Sequence, residues 1–139
     1  MRWVVLPLAL LLGAASPQSQ ETPHCHVPGP FIVFFSQDSA RLSWDAREVL
    51  DLVAGYIRGE GCVWPRIWLT GHTSAREHER SATSRIGAVR RYFVRHGLGK
   101  AVVGVQSFGP RQPRMRSNSA GAENQNRRVE IYFFDPGPP

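Results

Sequence analysis

Polar and basic residues that can bind an anion occur in two short strings of the sequence. One is Gly71-His72-Thr73-Ser74, which is followed by Arg85, and the other is Asn126-Arg127-Arg128. An arginine guanidinium offers a rigid fork of N–H donors that suits a carboxylate. We therefore treat these strings as candidates for non-covalent recognition.

The same region lacks the pattern of a catalytic site. The sequence contains no Gly-x-Ser-x-Gly or His-Glu-x-x-His string. Nothing in the spacing of the Ser, His and acidic residues at 72–84 assigns a nucleophile, a base and an orienting group. We predict that the protein is not an enzyme and that it uses neither a metal nor a cofactor.

Hydrophobic periodicity predicts the elements that position these strings. Strands are predicted at 31–35, 67–70, 101–106 and 128–134, and helices at 43–59 and 81–96. The first helix has Ser43 as a candidate N-cap, and the segment 111–125 is predicted to be irregular. The resulting β-α-β-α-β-β order predicts an α/β fold with helices packed on a single sheet.

The composition is typical of one globular domain rather than of a disordered chain. The protein has 139 residues, of which 42% are hydrophobic and 20% charged. Its 17 basic and 11 acidic residues give a formal charge of +6, which agrees with an anionic partner.

The N-terminus has the features of a secretory signal peptide, which we assign to residues 1–15. Arg2 carries a positive charge, residues 3–12 are almost wholly apolar, and residues 13–16 are small. The apolar run is too short to span a bilayer, so the protein is not predicted to cross a membrane. A Pro-rich linker is predicted at 16–30, a domain at 31–135 and a disordered tail at 136–139.

The two cysteines, Cys25 and Cys62, form an even pair. Export would place them in an oxidising compartment, so we predict a disulfide between them. Two unpaired thiols are one alternative. A metal site that includes His24 and His26 is another, although three adjacent side chains point in divergent directions.

The strings Gly71-His72-Thr73 and Asn126-Arg127-Arg128-Val129-Glu130-Ile131, together with Ser107-Phe108-Gly109 and Pro113, resemble the OmpA C-terminal-like family of peptidoglycan-associated domains. The resemblance covers roughly residues 31–134. It implies a single OmpA-like domain with a mixed sheet. Export by the signal peptide would place this domain in the periplasm or cell envelope, and we include the outer membrane among the expected locations. It also implies non-covalent binding of peptidoglycan through the meso-diaminopimelate of the stem peptide.

The resemblance also implies roles for particular residues. Arg85 would pair with the carboxylate of diaminopimelate, and the other residues expected at the peptidoglycan site are Thr73, Ser74, Asn126, Arg127 and Arg128. The family has an Asp, which takes the ligand ammonium, at the position that Ser74 occupies here. Glu77 or Glu79 could supply a substitute carboxylate.

Other roles remain open for these residues. Arg85 could be a solvated or salt-bridged helix residue, and Arg127 and Arg128 could simply charge an edge strand against aggregation. The neutral Ser74 also supports a second function, in which an OmpA-like scaffold has lost or weakened its peptidoglycan affinity and acts in envelope protein–protein assembly. The partners predicted from the sequence are therefore peptidoglycan first and an envelope protein second, and not a nucleic acid.

Overall fold

The computed structural model describes residues 29–59 and 66–134. The predicted signal peptide, nearly all of the Pro-rich linker and the predicted tail lie outside the described residues. The same is true of Cys25 and Cys62, so the predicted disulfide stays a prediction.

The described elements follow the predicted order, with one helix added near the C-terminus. They are β1 (Phe31–Phe34), α1 (Trp44–Arg58), β2 (Arg66–His72), α2 (Arg80–Arg95), β3 (Val102–Gly109), α3 (Ala120–Asn126) and β4 (Arg128–Phe134). A single 3₁₀ turn at Gly99–Ala101 precedes β3.

The strands form a mixed sheet in the order β1-β4-β2-β3. The last strand, β4, lies between β1 and β2 and is antiparallel to both, whereas β2 and β3 are parallel. As a result β1, β2 and β3 all run in the same direction, and the segments that follow these three strands begin at the same end of the sheet. The prediction of a mixed α/β fold with helices packed on one sheet is confirmed.

Local sequence explains where α1 begins and which side of it is buried. Ser43 is the N-cap, and its Oγ accepts a hydrogen bond from the Ala46 N–H at 3.1 Å. Leu50 and Val53 face the sheet and have no exposed surface. Burial of each such side chain stabilises the fold by roughly 1.5–3 kcal/mol.

Helices α1 and α2 cover one face of the sheet, and the core lies between them and the strands. Its members include Val33, Leu50, Val53, Leu69, Val89, Phe93, Val129 and Ile131. The opposite face carries Trp68 and Tyr132, which are partly exposed cross-strand neighbours. In the described part of the chain, no helix combines the length and apolar character needed to cross a membrane.

The prediction that residues 111–125 are wholly irregular was wrong. Ser119 caps α3 by accepting a hydrogen bond from the Ala122 N–H at 3.2 Å. The helix has only seven residues and buries Ala122, Glu123 and Asn126, so it lacks the apolar stripe that reveals a helix in sequence.

Candidate functional site

The close approach of β2 and α2 positions Arg85. A Cβ atom at Gly71 would lie 2.7 Å from the carbonyl oxygen of Ala82 and 2.8 Å from the side chain of Ile86. Glycine therefore allows the end of β2 to pack directly against the first turns of α2. This contact brings Arg85, in the second turn of α2, beside the end of β2, where it is fully buried.

Every N–H group of the Arg85 guanidinium has an acceptor inside the protein. Nε donates to the carbonyl of Ser39 at 3.0 Å, and Nη1 donates to the carbonyl of His72 at 3.1 Å. Nη2 donates to the carbonyl of Ser36 at 3.1 Å. The remaining N–H groups of Nη1 and Nη2 donate to the two carboxylate oxygens of Glu77. Arg85 therefore joins the segment after β1, the end of β2 and the loop before α2.

Glu77 is as fully engaged as Arg85. Its Oε2 accepts hydrogen bonds from the N–H of Ser74 at 3.0 Å and from the Ser74 hydroxyl at 3.3 Å. Its Oε1 accepts one from the N–H of Asp38 at 2.7 Å. Burial alone would raise the pKa of the Glu77 carboxyl, but the hydrogen bonds from Arg85, Ser74 and Asp38 outweigh it and lower this pKa below its ordinary value.

Glu77, and not Glu79, is therefore the acid beside Arg85. Of the alternatives given for Arg85, the structure shows the salt-bridged helix residue. Glu79 instead pairs with Arg111 at 3.0 Å on the exposed surface. Ser74 is buried, and so is Thr73, whose N–H donates to the carbonyl of Gly109 at 3.0 Å. A ligand carboxylate can reach Arg85 only by displacing Glu77.

A cleft of about 520 Å³ lies next to this ion pair, between the segment after β1 and the start of α2. We call it the first cleft. Its lining includes the acidic Asp38, the basic Arg80 and the hydroxyl groups of Ser39, Ser81 and Ser84. It therefore offers a negative group, a positive group and neutral hydrogen-bonding groups within one accessible space.

Asn126 contacts the irregular segment before α3 rather than the first cleft. Its Nδ2 donates to the carbonyl of Met115 at 2.8 Å, and its Oδ1 accepts from the Met115 N–H at 2.9 Å. These two hydrogen bonds hold the segment against the fold, so the observed contacts of Asn126 are structural.

Arg128 belongs to a polar cluster at the end of the sheet. Its Nε donates to Glu130 Oε1 at 2.6 Å, and its Nη2 donates to the carbonyl of Gln112 at 3.3 Å. Burial lowers the pKa of the neighbouring His72 to about 4, and the positive charge of Arg128 adds to this effect. Because β4 lies inside the sheet, Arg128 does not serve to charge an edge strand.

Arg127 points away from this cluster and lines a separate cleft of about 490 Å³, which we call the second cleft. Its Nε donates to the carbonyl of Phe35 at 3.2 Å, and its Nη2 donates to Oδ1 of Asn124. The structure thus brings Ser74 and Arg85 together through Glu77, but it places Asn126, Arg127 and Arg128 in three other environments.

Sequence reasoning missed two residues of the first cleft, Asp38 and Arg80. A signal was present for Asp38, because it lies in a polar run directly after β1. The segments that follow strands of the same direction lie at the same end of the sheet. Asp38 could have been placed near the end of β2 only if β1 and β2 were known to share a direction, which depends on the insertion of β4 between them.

The fold and the positions of these strings define a class of protein. A family model described as the OmpA family matches residues 34–127, which is more than half of the chain. The chain therefore belongs to the OmpA family, and the resemblance seen in the sequence is confirmed.

Individual relatives support this assignment. The peptidoglycan-associated lipoprotein of Pseudomonas aeruginosa is 33% identical over 102 residues, a match that spans 70% of this chain and 59% of that protein. The chain thus spans less than two thirds of the length of this relative.

Solved structures show the shared fold. The peptidoglycan-associated lipoprotein from Burkholderia pseudomallei has a TM-score of 0.65 at 23% identity, with 74% of this chain and 89% of that chain covered. The C-terminal domain of Helicobacter pylori MotB also has a TM-score of 0.65, at 20% identity, with 80% and 88% covered.

Proposed function

We propose that this protein is a non-catalytic cell-envelope domain that binds peptidoglycan through the diaminopimelate of its stem peptide. Membership of the OmpA family supports this function, as does the similarity to a relative named as a peptidoglycan-associated lipoprotein. Binding of this kind needs complementary charges and hydrogen bonds, and no bond is made or broken.

The observation that carries the proposal is that Asp38 and Arg80, which have opposite charges, both line the first cleft. The side chain of diaminopimelate ends in an ammonium and a carboxylate. In our proposal the ammonium donates to Asp38, which supplies the negative charge that Ser74 lacks, and the carboxylate accepts from Arg80. Charge-assisted hydrogen bonds of this type are stronger than neutral ones.

Arg85 and Glu77 act in this proposal as positioning residues. Arg85 binds the carbonyls of Ser36 and Ser39, so it fixes the segment that carries Asp38. Glu77 accepts from the backbone N–H of Asp38 itself. The buried ion pair therefore fixes the segment that carries Asp38 beside the start of α2.

A second candidate function is an OmpA-like scaffold that has little affinity for peptidoglycan and acts in envelope protein–protein assembly. It is favoured by the saturation of Arg85, because Glu77 occupies the guanidinium that the family resemblance assigns to the ligand. It is also favoured by the neutral, buried Ser74.

Co-sedimentation with purified peptidoglycan separates the two functions. We expect the protein to sediment with diaminopimelate-type sacculi and much less with lysine-type sacculi, because the lysine side chain ends in an ammonium without the carboxylate. Sedimentation should persist at about 0.3 M salt, where screening suppresses non-specific attraction by the basic surface. A protein that stays in the supernatant with diaminopimelate-type sacculi at low salt would support the scaffold instead.

Export to the periplasm or cell envelope is part of the same proposal. Processing after Ala15, with residues 16–30 as a linker, predicts a secreted form that begins at Ser16. N-terminal sequencing of the protein from the periplasmic fraction would test this, and an intact N-terminus in the cytoplasm would contradict it. Mass spectrometry of the secreted form, with and without reduction before alkylation, would test the Cys25–Cys62 disulfide.

A further inference from the structure

Arg127 differs from two other buried arginines of the described chain in its lack of a carboxylate partner. Arg85 is paired with Glu77, and Arg128 is paired with Glu130. Arg127 is only 8% exposed, yet no carboxylate of the described residues lies at ion-pair distance from it. A charge that is removed from water without a counter-charge is unfavourable, so this site favours an anion from outside the described fold.

The guanidinium of Arg127 also keeps N–H groups for a further acceptor. Its Nε and Nη2 donate to the neutral oxygens of Phe35 and Asn124, and its Nη1 has no acceptor among the described residues. Glu123 lies one helical turn earlier, but its carboxylate makes no ion pair with Arg127, and its Oε2 has no hydrogen-bond partner in the described chain.

The surroundings of Arg127 suit a small anion. The second cleft has a volume of about 490 Å³ and no acidic residue in its lining. A second arginine, Arg41, lines it together with the polar side chains of Ser36, Gln37 and Asn124. A pocket of this size accommodates one end of a peptide or another small ligand.

We propose that the second cleft binds a carboxylate of the wall peptide through Arg127, as a contact separate from the first cleft. The identity of this ligand rests on the proposed function. Both clefts are lined by the loop between β1 and α1: the first by Asp38, Ser39 and Ala40, and the second by Gln37 and Arg41. A stem peptide carries several carboxylates, so one extended peptide can occupy both clefts.

The variant Asn124→Asp tests this proposal with little disturbance to the fold. Asn124 is exposed, and its Oδ1 already accepts a hydrogen bond from Arg127. Aspartate at this position has nearly the same shape and supplies an internal counter-charge that competes with the ligand. The matched control is Gln106→Glu, which makes the same change of charge at an exposed position in β3, at the opposite edge of the sheet from β1.

Calorimetric titration with a synthetic stem tripeptide that ends in meso-diaminopimelate gives the first readout. We expect Asn124→Asp to raise the dissociation constant about tenfold or more, and Gln106→Glu to change it by less than about twofold. When each carboxylate of the tripeptide is amidated in turn, one of these changes should weaken binding to the wild type without weakening binding to Asn124→Asp any further. Tripeptide affinity that is the same in Asn124→Asp and wild type would overturn the proposal.

A second readout separates this site from the function of the whole domain. Glutarate is a simple dicarboxylate, and it should shift the NMR signal of the Arg127 Nε–H group in the wild type but not in Asn124→Asp. If sacculi fail to sediment the wild type while glutarate gives this pattern, the proposed function fails and the carboxylate site stands. If sacculi sediment the wild type and neither the tripeptide nor glutarate reports on Arg127, the function stands and the site is overturned.

Discussion

The carboxylate of Glu77 lies on the guanidinium of Arg85 in a bidentate ion pair in which neither side chain has exposed surface. The pair forms at the end of β2, where the family resemblance places a ligand carboxylate. Glu77 therefore occupies the position beside Arg85 at which the sequence led us to expect a carboxylate of the peptidoglycan. The ion pair instead supports the residues that line the first cleft.

The first prediction concerns the stability that this pair provides. Glu77→Gln leaves the buried charge of Arg85 without a counter-charge, and loss of one partner of a buried pair typically costs about 3–5 kcal/mol. The control is Glu79→Gln, which removes an exposed pair with Arg111 and should cost less than about 1 kcal/mol. Urea unfolding of both variants gives the comparison, and equal small losses would show that the buried pair is not a structural requirement.

The second prediction concerns the pH dependence of stability. Burial, followed by the charge of Arg128, lowers the pKa of His72 to about 4 in the folded protein, whereas an unfolded histidine has a pKa of about 6.5. Between these values the unfolded chain binds a proton that the folded chain does not, so the free energy of unfolding should fall as the pH drops from about 6.5 towards 4.

Replacement of His72 by Gln should flatten the stability curve in this pH range, as measured by urea unfolding at several pH values. NMR titration of the imidazole of His72 provides a direct check, with its resonance assigned by its absence in the variant. A midpoint near 6.5 in the folded protein would contradict the proposed environment.

The third prediction concerns the close contact between β2 and α2. Gly71→Ala forces a Cβ atom to within 2.7 Å of the Ala82 carbonyl, so it should destabilise the protein by about 1–3 kcal/mol through overpacking. Gly55→Ala is the control, because Gly55 lies in α1 and a Cβ there meets nothing within 4 Å. That variant should stabilise the protein by about 0.5–1 kcal/mol, and thermal unfolding that ranks the two in the opposite order would be inconsistent with this packing.

The fourth prediction concerns Asn126, whose side chain makes two hydrogen bonds to Met115. Asn126→Ala removes both and should cost about 1–3 kcal/mol, with faster hydrogen exchange at the Met115 amide. Asn126→Asp keeps the acceptor for that amide, so its exchange should stay slower than in the alanine variant. Equal exchange rates in wild type and both variants would assign Asn126 no role in holding the segment.

The sequence predicted the elements whose hydrophobic pattern is strong. Strand β2 and helices α1 and α2 carry apolar residues at regular spacing, and the core contains Leu50, Val89 and Phe93, as this spacing requires. It also predicted that Arg85 would lie in the first turns of the second helix.

The parts that the sequence did not predict depend on tertiary contacts. The partner of Arg85 comes from an irregular loop, where no periodicity limits the position of Glu77. Strand β4 lies between β1 and β2 and is antiparallel to both, and the short α3 is held by its cap and by burial of Ala122 and Asn126 rather than by an apolar stripe. These contacts decide that Arg127 lines the second cleft, whereas Arg85 is fully buried beside the first cleft.

The most direct test of the central claim is the affinity of the stem tripeptide for Asp38→Asn. Asp38 has a φ of 51°, a conformation that asparagine also tolerates, so the variant should keep the fold and remove only the negative charge. Asp45→Asn, at an exposed position in α1, makes the same change of charge away from the first cleft.

If the ligand ammonium donates to Asp38, titration calorimetry should show a dissociation constant at least about tenfold higher for Asp38→Asn than for the wild type. The dissociation constant of Asp45→Asn should stay near the wild-type value. Equal affinities in wild type and both variants, with the fold intact by circular dichroism, would contradict recognition of the wall peptide in the first cleft.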